Sequence, residues 1–144
     1  MAAKEHWKEA SDDHDYPAAA DYLSLLMPQK RASQLVRRLR VARLVHRKAK
    51  DLLRASSLPE LPPDNVHVAK DLAKVRKGEL LSPVLLLRGR LDARVPLTVA
   101  DGYHRICASY HLDEDADIPC RLADLPPPRV RATPSGASRS TPSR

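Results

Sequence analysis

The chain has 144 residues and a formal net charge of +7, a length that suits one compact domain with added elements. With no Phe and one Trp, its core must be aliphatic, built from Leu, Val and Ala. No apolar run approaches the ~18 residues of a membrane span and no apolar leader follows Met1, so no membrane partner is expected and cytoplasmic residence is.

In chain order, residues 1–14 are polar and read as loosely held. Asp15-Tyr16-Pro17 reads as a helix start, with an acceptor side chain ahead of a first-turn proline. The helix from Ala18 to Met27 is expected to bury Tyr22, Leu23, Leu26 and Met27. From Gln29 to Ala55 there is neither Gly nor Pro. Leu35, Leu39, Ala42, Val45, Ala49, Leu52 and Leu53 recur at helical spacing, which fits one long helix or two shorter ones with a break at Val41. Arg40, Arg43, Arg47, Lys50 and Arg54 follow the same rhythm on another face. This segment concentrates the charge: residues 28–57 carry +9, residues 1–27 carry −4, 58–125 carry −2 and 126–144 carry +4.

Ser56 to Asn65 reads as a proline-rich loop. Val66-His67-Val68 suits a short strand or a helix entrance, and Ala69 to Lys77 a helix with Leu72 and Val75 inward, capped by Gly78. Pro83 to Leu87 reads as a buried strand, Gly89 to Pro96 as a polar connection, and Leu97 to Ala100 as the partner strand. Arg105 to Leu112 is a helix. The acidic loop Asp113–Asp117 lacks the glycine and the ligand spacing of a calcium loop. Ile118 to Leu122 alternates as a half-buried strand, placed at an edge by Pro119. Cys107 and Cys120 read as two buried thiols rather than a disulfide or a metal pair. Pro126 onward reads as a disordered basic tail.

The expected architecture is α+β: a helical extension over 1–60, a small α/β domain over 61–125, and the tail over 126–144. From about Val66 to Leu122, the order of elements resembles the ParB/sulfiredoxin-like superfamily. The residues that carry the resemblance are Leu81-Ser82-Pro83-Val84-Leu85, Val99-Ala100-Asp101-Gly102-Tyr103-His104-Arg105 and Ile118-Pro119-Cys120-Arg121-Leu122. The chain is also similar to short ParB-like proteins of actinobacteria with an Ala-Asp-Gly-Tyr-His-Arg segment. The resemblance implies a glycine turn that holds nucleotide phosphates. Sulfiredoxins place their reactive Cys where this chain has Tyr103, so that activity is not implied. ParB clamps recognise DNA through a further helix-turn-helix domain, and no counterpart of it is expected after Leu122. Free-serine kinases use an Asp-Gly-His-x-Arg-like turn for phosphoryl transfer, and Asp101–Arg105 is nearest to that pattern.

The residues point the same way. A strand, a glycine turn and a helix opening with His104 and Arg105 make an anion site from free N–H groups, the helix dipole and two cationic side chains. Gly102 permits a positive φ or a close phosphate approach. Asp101 is either an ordinary helix N-cap or a catalytic group that orients Mg²⁺ or acts as general base. Arg105 has two readings, a phosphate contact, which is favoured, and a salt bridge to Asp101 or the acidic loop. Tyr103 packs or offers its hydroxyl. Lys70 and Lys74 are candidates for further phosphate contacts, although a solvated face is favoured for them. The leading expectation is a nucleotide- or phosphate-ester-binding protein, with ATP, ADP or CTP and Mg²⁺ as ligands and phosphotransfer as the reaction. The alternative is a nucleic-acid-associated module that uses the Arg40, Arg43, Arg47, Lys50 and Arg54 face.

Overall fold

The computed structural model describes residues 6–125; the expected tail at 126–144 lies outside the described residues. Its helices are α1 (Asp15–Leu23), α2 (Gln29–Val41), α3 (Ala49–Ser56), α4 (Val66–Arg76) and α5 (Tyr103–Leu112). Its strands are β1 (Leu44–Lys48), β2 (Val84–Arg88), β3 (Thr98–Asp101) and β4 (Asp117–Asp124), in the sheet order β1-β4-β2-β3. β4 runs parallel to β2, while β1 is antiparallel to β4 and β3 to β2. The α+β expectation holds.

Strand β2 explains the layering. Its Val84 and Leu86 join Trp7, α3, α4 and α5 on one face, whereas Leu85 and Leu87 join α1 and α2 on the other. All four are at most 1 % exposed, as expected of a strand covered on both sides. Cys107 and Cys120 are buried free thiols, and burial pushes the Cys120 thiol up to about 12.

Helix α4 starts at Val66 because the Asn65 side chain accepts from the N–H groups of His67 at 3.0 Å and Val68 at 3.2 Å. Asn65→Ala should cost about 1 kcal/mol of stability, read as a lower urea midpoint with an unchanged slope. A change of slope would instead mean that the variant alters the unfolded or native ensemble.

Several sequence expectations need correction. Residues 6–14 are not loose: Trp7 is buried and bridges to Leu81, with Lys8 N–H donating to Leu81 O and Leu81 N–H to His6 O, both at 2.7 Å. Helix α1 buries Asp15, Tyr16, Ala19 and Leu23, leaving Tyr22 and Leu26 exposed. The helical segment after Gln29 does break at Val41, but a strand follows it. β1 pairs with β4, so the boundary near residue 60 falls inside one sheet and the first 60 residues are not purely helical. Finally, β4 is an inner strand. Pro119 is tolerated because pairing with β2 begins only at Cys120; at Pro119 only β1 lies alongside.

Candidate functional site

β3 ends in an irregular register against β2: Leu85 pairs with Asp101 and Leu86 with Val99, which leaves Ala100 as an inserted residue just before the turn. Gly102 follows at φ +110°, and α5 begins at Tyr103. The first backbone bond of α5 at this end runs from Ile106 N–H to Gly102 O at 3.0 Å. The N–H groups of Tyr103, His104 and Arg105 precede it, with no acceptor inside the helix. Gly102 is the N-cap residue and no side chain caps the helix, so the N-cap reading of Asp101 does not hold.

Helix α4 packs beside this turn. Together they enclose a cavity of about 200 Å³ lined by His67, Lys70, Asp71 and Lys74 from α4 and by Asp101, Gly102, His104 and Arg105. The His67 and His104 rings lie 4.6 Å apart. Burial and the neighbouring His67 lower the His104 pKa from its ordinary value. Burial raises the Asp71 carboxyl, against the pull of Arg105, Lys74, His104 and Lys70.

Of the residues expected at the site, Asp101, Gly102, His104 and Arg105 line the cavity and Tyr103 does not. The Tyr103 hydroxyl donates to Pro59 O at 2.6 Å. With His111 against Leu61 O and Cys107 Sγ accepting from Leu61 N–H, it pins the 57–65 loop to the far side of α5.

Arg105 is already engaged. Its Nη2 lies 2.9 Å from Asp101 Oδ2 and 3.8 Å from Asp15 Oδ2. The structure therefore has the salt bridge to Asp101, which the sequence reading had ranked below a phosphate contact. Asp15 also accepts from the Ser82 hydroxyl, which in turn accepts from Asp12 N–H at 3.0 Å. Burial raises the Asp101 pKa; Arg105 opposes the rise and the adjacent Asp15 carboxyl adds to it. Two carboxyls thus share one guanidinium, and Asp101 is a constrained group rather than a free base.

A second cavity, of about 420 Å³, adjoins the first through Asp71, Lys74 and Arg105. Asp12, His14 and Asp15 offer ligand atoms within 4.8 Å of one another there. Lys8 lies 2.6 Å from Asp12 and holds its carboxyl below the ordinary value, and Asp15 is bound by Ser82 and Arg105. A cation at this place would have to displace those partners. The carboxylate best suited to a hard cation beside bound phosphates is Asp71, which faces both cavities and has no hydrogen-bond or ion-pair partner among the described residues.

The residues of the alternative reading do not lie on one helix. Arg40 closes α2 and stacks 4.2 Å from the Tyr16 ring centroid, Arg43 precedes β1, Arg47 is in β1, and Lys50 and Arg54 are in α3. Lys50 pairs with Asp115 at 2.7 Å and Arg54 with Asp51 at 3.3 Å. The helix that was to align them is interrupted by β1. Sequence reasoning missed Asp15, Ser82 and Asp71. Asp71 had a usable signal, because it sits between Lys70 and Lys74 on the helix expected near the turn; Asp15 and Ser82 had none, being distant in sequence. No family model, no curated protein and no solved structure matches the chain.

Proposed function

We propose that the cavity between α4 and the Asp101–Arg105 turn binds the phosphate groups of a nucleotide or phosphate ester. One observation carries this reading: Lys70, Lys74, His67 and His104 converge with a helix N-terminus on a single small cavity, and neither lysine has an ion pair among the described residues. With Asp101 offset by Arg105, two lysines and a helix N-terminus against the one carboxylate of Asp71 leave a positive balance that favours an anion. Arg105 supports the site from behind, by fixing the turn through Asp101. Kinship with the ParB/sulfiredoxin-like superfamily belongs to the same proposal and accords with a phosphate-holding glycine turn.

Mg²⁺ fits this reading through Asp71, because Mg²⁺ typically takes one or two carboxylates together with phosphate oxygens. When bound it would neutralise phosphate charge. Phosphotransfer to an alcohol is the reaction the arrangement could serve. The acceptor oxygen would bond to the terminal phosphorus, its proton would pass to a carboxylate, and the bridging oxygen would leave with the remaining phosphates. Asp71 would serve either that proton or Mg²⁺, while Asp101 is committed to Arg105.

A thermal-shift panel of ATP, ADP, CTP and pyrophosphate, each with and without Mg²⁺, tests the proposal. A ligand at ~100 times its dissociation constant adds ~2.7 kcal/mol, a rise of several degrees in Tm for a domain of this size. Lys70→Ala with Lys74→Ala should weaken binding about tenfold or more, and Asp71→Asn should remove only the increment due to Mg²⁺. No shift with any of the four would overturn the phosphate reading.

A further inference from the structure

We infer that a separate cavity, at the opposite end of β2 and β3 from the Asp101–Arg105 turn, binds a small amphipathic acid: an apolar tail carrying a carboxylate. This inference does not depend on the phosphate reading. The cavity holds about 410 Å³, within the roughly 300–1,000 Å³ of small-molecule sites. Its walls include Leu52 from α3, Leu86 in the middle of β2, Leu97 ahead of β3 and Leu122 in β4. Leu52 and Leu86 are buried and belong to the core, so the cavity opens directly onto core side chains. At its mouth the short 3₁₀ turn Leu91–Ala93 holds Leu91 at 95 % exposure. A leucine held out in water beside an apolar cavity gains by covering a tail within it.

The charges at the rim decide the head group. Arg88 is paired with Asp124 at 2.6 Å, and Asp51 with Arg54 at 3.3 Å. Arg47, exposed on β1, also lines the cavity, and its guanidinium has no ion-pair partner among the described residues. The uncompensated charge at the opening is therefore positive, and a guanidinium suits a carboxylate in two-pronged contact. A second copy of the chain fits less well. The apolar surface is concave, and the charged Arg47, Asp51 and Arg88 are exposed at its rim, which disfavours an apolar protein interface.

The test is a ¹⁵N-resolved NMR titration of the full chain with decanoate below its micelle concentration, alongside decanol and decyltrimethylammonium. Saturable shifts are expected at Gly89, Leu91 and Leu97, with decanoate bound more tightly than either control. Arg47→Gln should weaken decanoate about tenfold and leave decanol unchanged. Leu91→Ala should weaken both. Both positions are exposed, and well-dispersed spectra of the variants verify their folding. Non-saturating shifts, shifts centred elsewhere, or equal affinity for the cationic control would overturn the inference. Shifts of these residues on changing protein concentration alone would overturn it too, by assigning the cavity to a second copy of the chain.

Discussion

Gly102→Val should cost about 2–5 kcal/mol and lower Tm by roughly 10–20 °C. Two effects add. The backbone at Gly102 sits at φ +110°, a left-handed conformation that costs a side-chain-bearing residue ~1–2 kcal/mol. A Cβ there would also lie 2.5 Å from Val84 Cγ1 and 2.9 Å from Arg105 Nη2, and overpacking of that kind costs ~1–3 kcal/mol. Val84 cannot retreat easily, because it is buried at the start of β2. Gly78 supplies the control: its φ is +80°, but nothing lies within 4 Å of a Cβ built there. Gly78→Ala should therefore show the conformational cost alone, ~1 kcal/mol. Thermal denaturation followed by circular dichroism compares the two. Equal losses at both positions would mean that Val84 gives way freely and that the turn is not tightly packed on the sheet.

The site was legible where local chemistry dictates structure. An apolar run ending in Asp101-Gly102, followed by a helix, announces its own turn, because only glycine tolerates that backbone. Gly78 likewise marks the end of α4, whereas its start lies at Val66 with Asn65 as cap, three residues before the expected Ala69. The strand β1 was hidden for a physical reason. Leu35 and Leu39 face the α1–α2 core, whereas Ala49, Leu52 and Leu53 face the opposite one. Two short amphipathic helices on opposite faces of the sheet happen to keep one helical phase through Leu44–Lys48, so the stripe reads as continuous although the chain changes sides. The same coincidence produced the false alignment of Arg40 to Arg54. The burial of Trp7 and the place of Asp15 in the Arg105 cluster are hidden because their partners, Leu81, Ser82 and Arg105, are more than sixty residues away; locally, Trp7 lies in a polar terminus and Asp15 reads only as a helix start. The signal for Asp71, its place between the candidate phosphate contacts Lys70 and Lys74, is outweighed by the ordinary reading of such a helix face as solvated.

Arg105→Ala is expected to cost about 3–5 kcal/mol near neutral pH, and this cost should shrink on acidification. The guanidinium serves two carboxyls at once, and the Asp15 and Asp101 side chains are only 3 % and 17 % exposed. Removing one member of a buried ion cluster leaves the others charged and poorly solvated, which is the expensive way to break it. The pH dependence follows from the signs. The Asp101 carboxyl is already raised by burial even with Arg105 beside it; without Arg105 it must rise further. A carboxyl raised in the folded state favours folding most below its unfolded value of about 4 and loses that advantage as pH climbs through its folded value. The variant should therefore regain stability relative to wild type as pH falls from 7 toward 4, where the Asp101 carboxyl takes up a proton and no longer needs a cation. Asp12 acts in the opposite sense in both proteins, because Lys8 holds its carboxyl low, so stability from that pair is lost as pH falls; it largely cancels in the difference, since Arg105 adds only the smallest part of that lowering. Chemical denaturation of wild type and variant at several pH values reads that difference directly. Adding Asp101→Asn to Arg105→Ala should recover part of the loss at pH 7 and flatten the pH dependence. A gap between wild type and Arg105→Ala that stays constant from pH 7 to 4 would show that Arg105 acts through packing of its aliphatic stem rather than through the two carboxyls.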